Sequence, residues 1–146
     1  MNDLLLTALA EIDTRERIGK EDNPRIIGYF NLMGLNGTEL KDETAWCSAF
    51  LNAVCILGNF ERTGELTARS WLGAGYAPSN GRHRIGDVCI LWRESPDSWK
   101  GHVGIYIRED KKYVWLLGGN QRNKVCIMKY RKSRVLGYRR LTRQYI

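Results

Sequence analysis

Residues 87–117 read DVCILWRESPDSWKGHVGIYIREDKKYVWLL. Stretches 87–92, 102–108 and 113–117 are rich in Val, Ile, Leu, Tyr and Trp and follow a two-residue period, the signature of short strands. The polar segments between them read as turns. Two further runs of the same kind, Lys124–Tyr130 and Leu136–Leu141, bring the expected count to about five. Close spacing and short turns make an antiparallel sheet the expected arrangement.

Upstream of Gly81 the period is helical. Leu4, Leu5, Ala8, Leu9 and Ile12 predict a helix over 3–18. Asn23-Pro24 is an N-cap followed by proline in the first turn; Ile26, Ile27, Phe30 and Met33 then face inward, and Gly34 ends the helix. The clearest helix carries Cys47, Phe50, Leu51, Val54 and Cys55 on one face, with Asp42 or Thr44 as its cap and Gly58 at its close. A short fourth helix follows Thr63-Gly64 through Ala68 and Trp71. Helices over about 1–75 and strands over about 85–142 predict an α+β fold, with the helices on one side of the sheet. The 146 residues suit one domain, and 43% hydrophobic content with five Trp excludes a disordered tail. Fifteen Gly without a period and only three Pro exclude collagen-like sequence.

Charge is distributed unevenly. Residues 111–146 hold eleven Lys and Arg and no acid, whereas all sixteen Asp and Glu fall within 1–110. A basic end attracts polyanions over long range; anionic envelope polymers and lipid headgroups are candidate partners. The N-terminus has Asp3 where a signal peptide carries a base, and no stretch is long and apolar enough to span a bilayer. The expectation is synthesis in the cytoplasm, with any action outside it depending on another route of release.

Cys47, Cys55, Cys89 and Cys126 are scattered, without CxxC or HxxxH, and the only histidines are His83 and His102. Free thiols are expected, and no metal or cofactor is implied. Cys47 falls in or near the first turn of its helix, where the macrodipole favours a thiolate; Cys55, Cys89 and Cys126 read as core. A turn centred near residue 111 sets His102 opposite Asn120, give or take one residue. Asn120 then orients the imidazole, and its other nitrogen faces Cys47. Cys, His and Asn in that order, nucleophile on a helix and base on a sheet, is the layout of papain-like peptidases. His83 competes for the base role but lies in a Gly-Arg loop without a strand partner.

The segments 42–50 (DETAWCSAF), 68–71 (ARSW), 101–104 (GHVG) and 117–121 (LGGNQ) resemble the CHAP and NlpC/P60-type cysteine peptidase superfamily, in particular a small phage and bacterial branch. The resemblance runs from about Asn23 to Tyr138. It implies a papain-like fold, Cys47 as nucleophile, His102 as base, a polar third residue at Asn120, and cleavage of an amide bond in peptidoglycan. Many such proteins carry a separate wall-binding domain, and none is expected here.

Further site candidates follow from position. The backbone N–H of Cys47 is placed to hold an oxyanion, with Tyr29 as a second donor. Trp46, Trp99, Gly119 and Gln121 are candidate substrate contacts; Trp71 and Trp92 read as core. Gly118-Gly119 either lets a substrate backbone approach or marks a bulge, and Gln121 is the alternative third residue. The expected protein is a monomeric peptidoglycan amidase or endopeptidase acting at the wall or periplasm after release, or carried in a virion. The rival readings are a cysteine peptidase acting on protein, and a basic module binding nucleic acid or envelope polymer through a degenerate site. A pure binder needs none of Cys47, His102 and Asn120, so nucleic acid is not an expected partner.

Overall fold

The computed structural model describes residues 3–16, 23–37 and 46–144. Among the described residues three α-helices, α1 (Asp3–Leu9), α2 (Pro24–Leu32) and α3 (Cys47–Gly58), precede a 3₁₀ helix at Ala68–Gly73. Five strands follow: β1 (Val88–Trp92), β2 (Gly101–Glu109), β3 (Tyr113–Gln121), β4 (Lys124–Arg131) and β5 (Val135–Arg139). They form one antiparallel sheet in the order β4-β3-β2-β1-β5. The fold is α+β, as the change of period predicts.

Helix α3 is the hub. Ten of its twelve residues are buried; α1 and α2 pack on it from one side, and β2 and β3 from the other. The core between helices and sheet includes Phe30, Trp46, Phe50, Val54, Ile90, Val103, Ile105 and Leu117. On the opposite sheet face, Cys89, Leu91, Tyr106, Val114 and Leu116 form a second cluster. Tyr130 of β4 and Tyr138 of β5 both close over it, so the sheet curls until its two edge strands share a core.

Helix ends depart from expectation in instructive ways. Asn23 caps α2 by accepting from the Arg25 N–H at 2.8 Å, with Pro24 in the first turn, as predicted. Helix α1 stops at Leu9, well short of residue 18. The chain turns instead and pairs with the start of β4: Asp13 N–H donates to Val125 O (3.0 Å) and Val125 N–H to Thr14 O (2.7 Å). These sheet bonds compete with continued helix, and Ile12 is left exposed. Helix α3 closes not on Gly58 but on Asn59, which takes a left-handed conformation at φ 60° that Asn tolerates better than most residues. Its N-cap is Trp46, which makes no side-chain cap bond; Asp42 and Thr44, the expected caps, lie outside the described residues.

Two buried polar residues on α3 fix what lies beside it. Ser48 Oγ donates to Glu65 O (2.6 Å) and accepts from the Trp71 indole (2.9 Å). Asn52 donates to Glu65 O (3.1 Å) and accepts from the Gly64 N–H (2.8 Å). Buried polar groups need partners, and here the partners tie segment 63–71 to the helix.

The basic end is less free than its composition implies. Arg140 forms a two-pronged pair with buried Asp87 (2.8 Å to each oxygen). Arg139 donates to Leu72 O (2.8 Å), and Lys132 pairs with Glu109. Arg143 is exposed but pairs with Asp3 (2.5 Å); the other exposed cations of this end are Lys111, Lys112, Arg122, Lys129 and Arg131, so long-range attraction falls mainly to them. No helix among the described residues is long and apolar enough to cross a membrane.

Candidate active site

Cys47 is the first residue of α3 and is only 6% exposed. No capping side chain occupies the N–H groups of the first turn. Three backbone amides, those of Val103, Ser48 and Cys47 itself, favour its thiolate, and so does the Arg93 charge. Burial outweighs all of them and pushes the thiol pKa up. The helix-start argument therefore misses the resting state: Cys47 rests as a thiol. Burial wins because a buried thiolate loses water that a few amides do not replace.

His102 stands near the start of β2, 5% exposed. Strands β2 and β3 pair Ile105 with Leu117 and Tyr106 with Leu116, the register expected for a turn centred at residue 111. That register does not continue to Asn120. Against β4, Gly118 pairs with Cys126 but Gln121 pairs with Lys124, so β3 carries one extra residue, a β-bulge. Asn120 absorbs it in a left-handed conformation, φ 56°. The side chain that reaches His102 is that of Gln121, whose Oε1 lies 2.9 Å from Nε2. Asn120 makes no hydrogen bond to His102, lines the neighbouring cavity, and is not the orienting residue.

The hydrogen bonds fix the tautomer. The Gln121 amide nitrogen donates to Leu116 O (3.2 Å) and Cys126 O (2.6 Å), so its oxygen is the atom turned to His102. That oxygen only accepts, so Nε2 must carry the proton. The Tyr130 hydroxyl oxygen, 3.1 Å away, accepts from the same N–H. Nδ1 is left with the lone pair and is the basic nitrogen. Burial lowers the His102 pKa to about 4, against the opposing Gln121 bond and with help from Arg93 and Arg134. The imidazole is neutral near pH 7, matched to a neutral thiol.

The two glycines before Asn120 explain why the bulge fits. A Cβ on Gly118 would sit 2.7 Å from Gln121 Oε1, and one on Gly119 would sit 2.7 Å from Phe50 Cβ and 2.8 Å from the Trp46 ring. Gly118 makes room for the orienting amide, and Gly119 lets β3 approach α3. Gly119 is buried against the helix rather than facing substrate. Gly119→Ala is expected to destabilise the fold by about 1–3 kcal/mol through overpacking, read as a lower denaturant midpoint; an unchanged midpoint would contradict this packing.

Cys47 and His102 belong to adjoining cavities. One, of about 440 Å³, is lined by Cys47, Leu66, Thr67, Ala68 and Trp99. The other, of about 560 Å³, is lined by His102, Asn120, Gln121, Met128 and Tyr130. Arg93 and Arg134 line both. The thiol lies by the backbone of Val103, next in sequence to His102, but thiol and imidazole are not hydrogen-bonded to each other. Catalytic hydrogen bonds are often long before substrate binds.

The remaining candidates divide. Trp99 is 71% exposed and borders the Cys47 cavity, where a groove residue belongs. Its loop is clamped by Arg69, whose guanidinium donates to Ser95 O, Pro96 O and Lys100 O at 2.7–3.0 Å. Trp46 is fully buried, its indole donating to Glu16 (2.7 Å), so it is core and not a substrate contact. Tyr29 is 1% exposed, packs edge-on to Phe50 and lines neither cavity; it does not complete an oxyanion hole. Gln121 serves the histidine, not the substrate. His83 stacks on Tyr138 with centroids 3.8 Å apart and bonds Glu109, well occupied as a structural residue. All four cysteines are free. Cys55 and Cys89 are core, but Cys126 is half-buried and its thiol donates to Gln121 O (3.4 Å).

Sequence reasoning passed over Arg93, Arg134 and Tyr130. Only the curl of the sheet brings the end of β4 and the turn after it to His102, and no local pattern signals that. Among the described residues no group of His, Cys, Asp and Glu is arranged to hold a metal. No protein-family model matches the chain, and no curated protein is significantly similar to it.

Proposed function

We propose that this protein is a papain-like cysteine hydrolase that cleaves an amide bond in peptidoglycan. The observation that carries the chemistry is the fixed His102 tautomer: Gln121 holds Nε2–H and leaves Nδ1 basic, in a cavity that adjoins the one lined by the helix-start thiol. The substrate rests on the resemblance of the DETAWCSAF, GHVG and LGGNQ segments to wall hydrolases of the CHAP and NlpC/P60 type.

Because thiol and imidazole both rest neutral, the proton moves when substrate is in place. Cys47 Sγ attacks the amide carbonyl as its proton passes to His102 Nδ1. The carbonyl oxygen becomes an oxyanion facing the first-turn N–H of Cys47. The tetrahedral species collapses, the C–N bond breaks, and the proton on Nδ1 goes to the leaving amine. Water, deprotonated by the same nitrogen, hydrolyses the thioester and restores the thiol.

The pH dependence follows. His102 is an acceptor above its pKa and is blocked below it, so kcat/KM should fall as pH drops through about 4. The unfolded chain takes up that proton first, so folding stability should decline between about 6.5 and 4. A pH–rate profile whose acid limb lies near 6.5 would show an unshifted histidine instead.

Mass spectrometry of purified murein sacculi digested with the protein tests the substrate. The expected result is one class of new amine terminus with its matching carboxyl, which names the bond. Intact sacculi alongside cleavage of an unfolded protein substrate would move the activity to protein. An enzyme of this kind reaches the wall after release from the cell or as part of a virion.

A further inference from the structure

Two arginines stand where the halves of the site meet. Arg93 follows β1, Arg134 lies in the turn between β4 and β5, and each lines both cavities. Arg134 is half-buried. Its Nε donates to Trp92 O at 3.0 Å, and its guanidinium lies over the rings of Trp92 (5.9 Å) and Tyr130 (5.6 Å). These contacts hold the head in place and use only one of its donors. Among the described residues no carboxylate is within ion-pair distance of either arginine. The acids bordering the cavities are engaged elsewhere: Glu16 accepts from Trp46 (2.7 Å), and Glu94 pairs with Lys100 (2.7 Å). Both arginines are close enough to act on the reactive groups, since Arg93 favours the Cys47 thiolate and both oppose protonation of His102. A planar fork of donors held beside a nucleophile matches a carboxylate better than any neutral group.

We propose that Arg93 and Arg134 form a carboxylate-binding subsite, and that the amide bond cleaved by this protein lies next to a free carboxylate on its substrate. The position follows from the shared lining: a group held by both arginines sits at the junction of the cavities, beside the scissile bond and not at a remote end. The inference rests on Cys47 and His102 being the reactive pair and specifies the substrate of that site.

Two alkylating reagents that differ only in charge test it. Iodoacetate carries a carboxylate where iodoacetamide carries a neutral amide; with either, the Cys47 sulfur forms a thioether, iodide leaves, and the thiol proton passes to base. Rates are read by mass spectrometry on the Cys47 peptide, separately from Cys126. The iodoacetate-to-iodoacetamide ratio at Cys47 should exceed that of a cysteine in an unstructured peptide by about tenfold or more, the scale of a charge-assisted hydrogen bond. Arg134→Gln and Arg93→Gln should each lower the ratio, the double variant should bring it to the peptide value, and Arg134→Lys should keep part of it. Arg93 is exposed, so its variant decides the matter even if Arg134→Gln folds poorly. A ratio equal to the peptide's, or one that neither variant changes, overturns the subsite. A second arm uses synthetic stem peptides with the neighbouring carboxylate free or amidated. Preference for the free acid that is lost in Arg134→Gln supports the proposal, and equal cleavage of both forms overturns it. Cleavage of neither form, with the alkylation ratio still high and arginine-dependent, supports the subsite and removes bonds within the stem peptide as the substrate; if sacculi also stay intact, peptidoglycan itself is refuted.

Discussion

Cys47→Ala is expected to abolish hydrolysis, with a loss of roughly 10⁴-fold or more in kcat, the scale seen when a nucleophile is removed from a covalent mechanism. The variant should fold, because Ala fits a helix start whose cap makes no side-chain bond. Cys55→Ala and Cys89→Ala serve as controls with the opposite signature. Both thiols are fully buried, so each substitution should cost stability and leave kcat within a few-fold. Turnover on sacculi or on a stem peptide measures the first effect, and a denaturant melt measures the second. Residual turnover in Cys47→Ala comparable to wild type would remove Cys47 from the mechanism, and with it the reading of the site.

Gln121→Ala should lower kcat by about 10²-fold with KM little changed, whereas Asn120→Ala should stay near wild type in kcat. The contrast follows from the bulge: Gln121, and not Asn120, bonds His102, and through its amide nitrogen it is itself held by Leu116 O and Cys126 O, whereas the Tyr130 hydroxyl can either accept or donate and so does not set the tautomer. Without it, either imidazole nitrogen is free to carry the proton, and the ring spends time with Nδ1 in the wrong state. Gln121→Glu separates orientation from packing. A carboxylate beside Nε2–H favours the imidazolium, so the acid limb of the pH–rate profile should move up from about 4. If Asn120→Ala proved the more damaging, or the Gln121→Glu profile did not move, the hydrogen bond would not be serving catalysis.

Much of this arrangement is legible in the residues, and what is not has specific causes. The change of period after Gly81 gives the α+β order, and the turn centred at residue 111 gives the β2–β3 register at Tyr106 and Ile105, whereas the pairs nearest the turn, Arg108 with Trp115 and Glu109 with Val114, are shifted by one residue. The last three steps to the site fail because one bulge residue exchanges the faces of everything beyond it. The Gly118-Gly119 pair signals such a bulge, yet glycine reports only permission and not which neighbour uses the room. The resting state of Cys47 is hidden for a different reason. The helix dipole is a local property, visible from position alone, whereas the desolvation that overrides it depends on what the rest of the chain stacks around the thiol. The same holds for α1, whose apolar spacing continues past Leu9 while its backbone is claimed by a strand more than a hundred residues away.

The strand order has a consequence for the chain as it is made. Strand β1 sits inside the sheet only because β5 covers its outer side. Until residues 135–139 exist, Val88–Trp92 offers an open row of amides and carbonyls flanked by apolar side chains, a template for pairing with other chains. The nucleophile, the base and its orienting amide are all synthesised earlier, but Arg134 and the turn carrying it come just before β5. Loss of residues 135–139 is therefore expected to yield an aggregation-prone product and not merely a weakened enzyme.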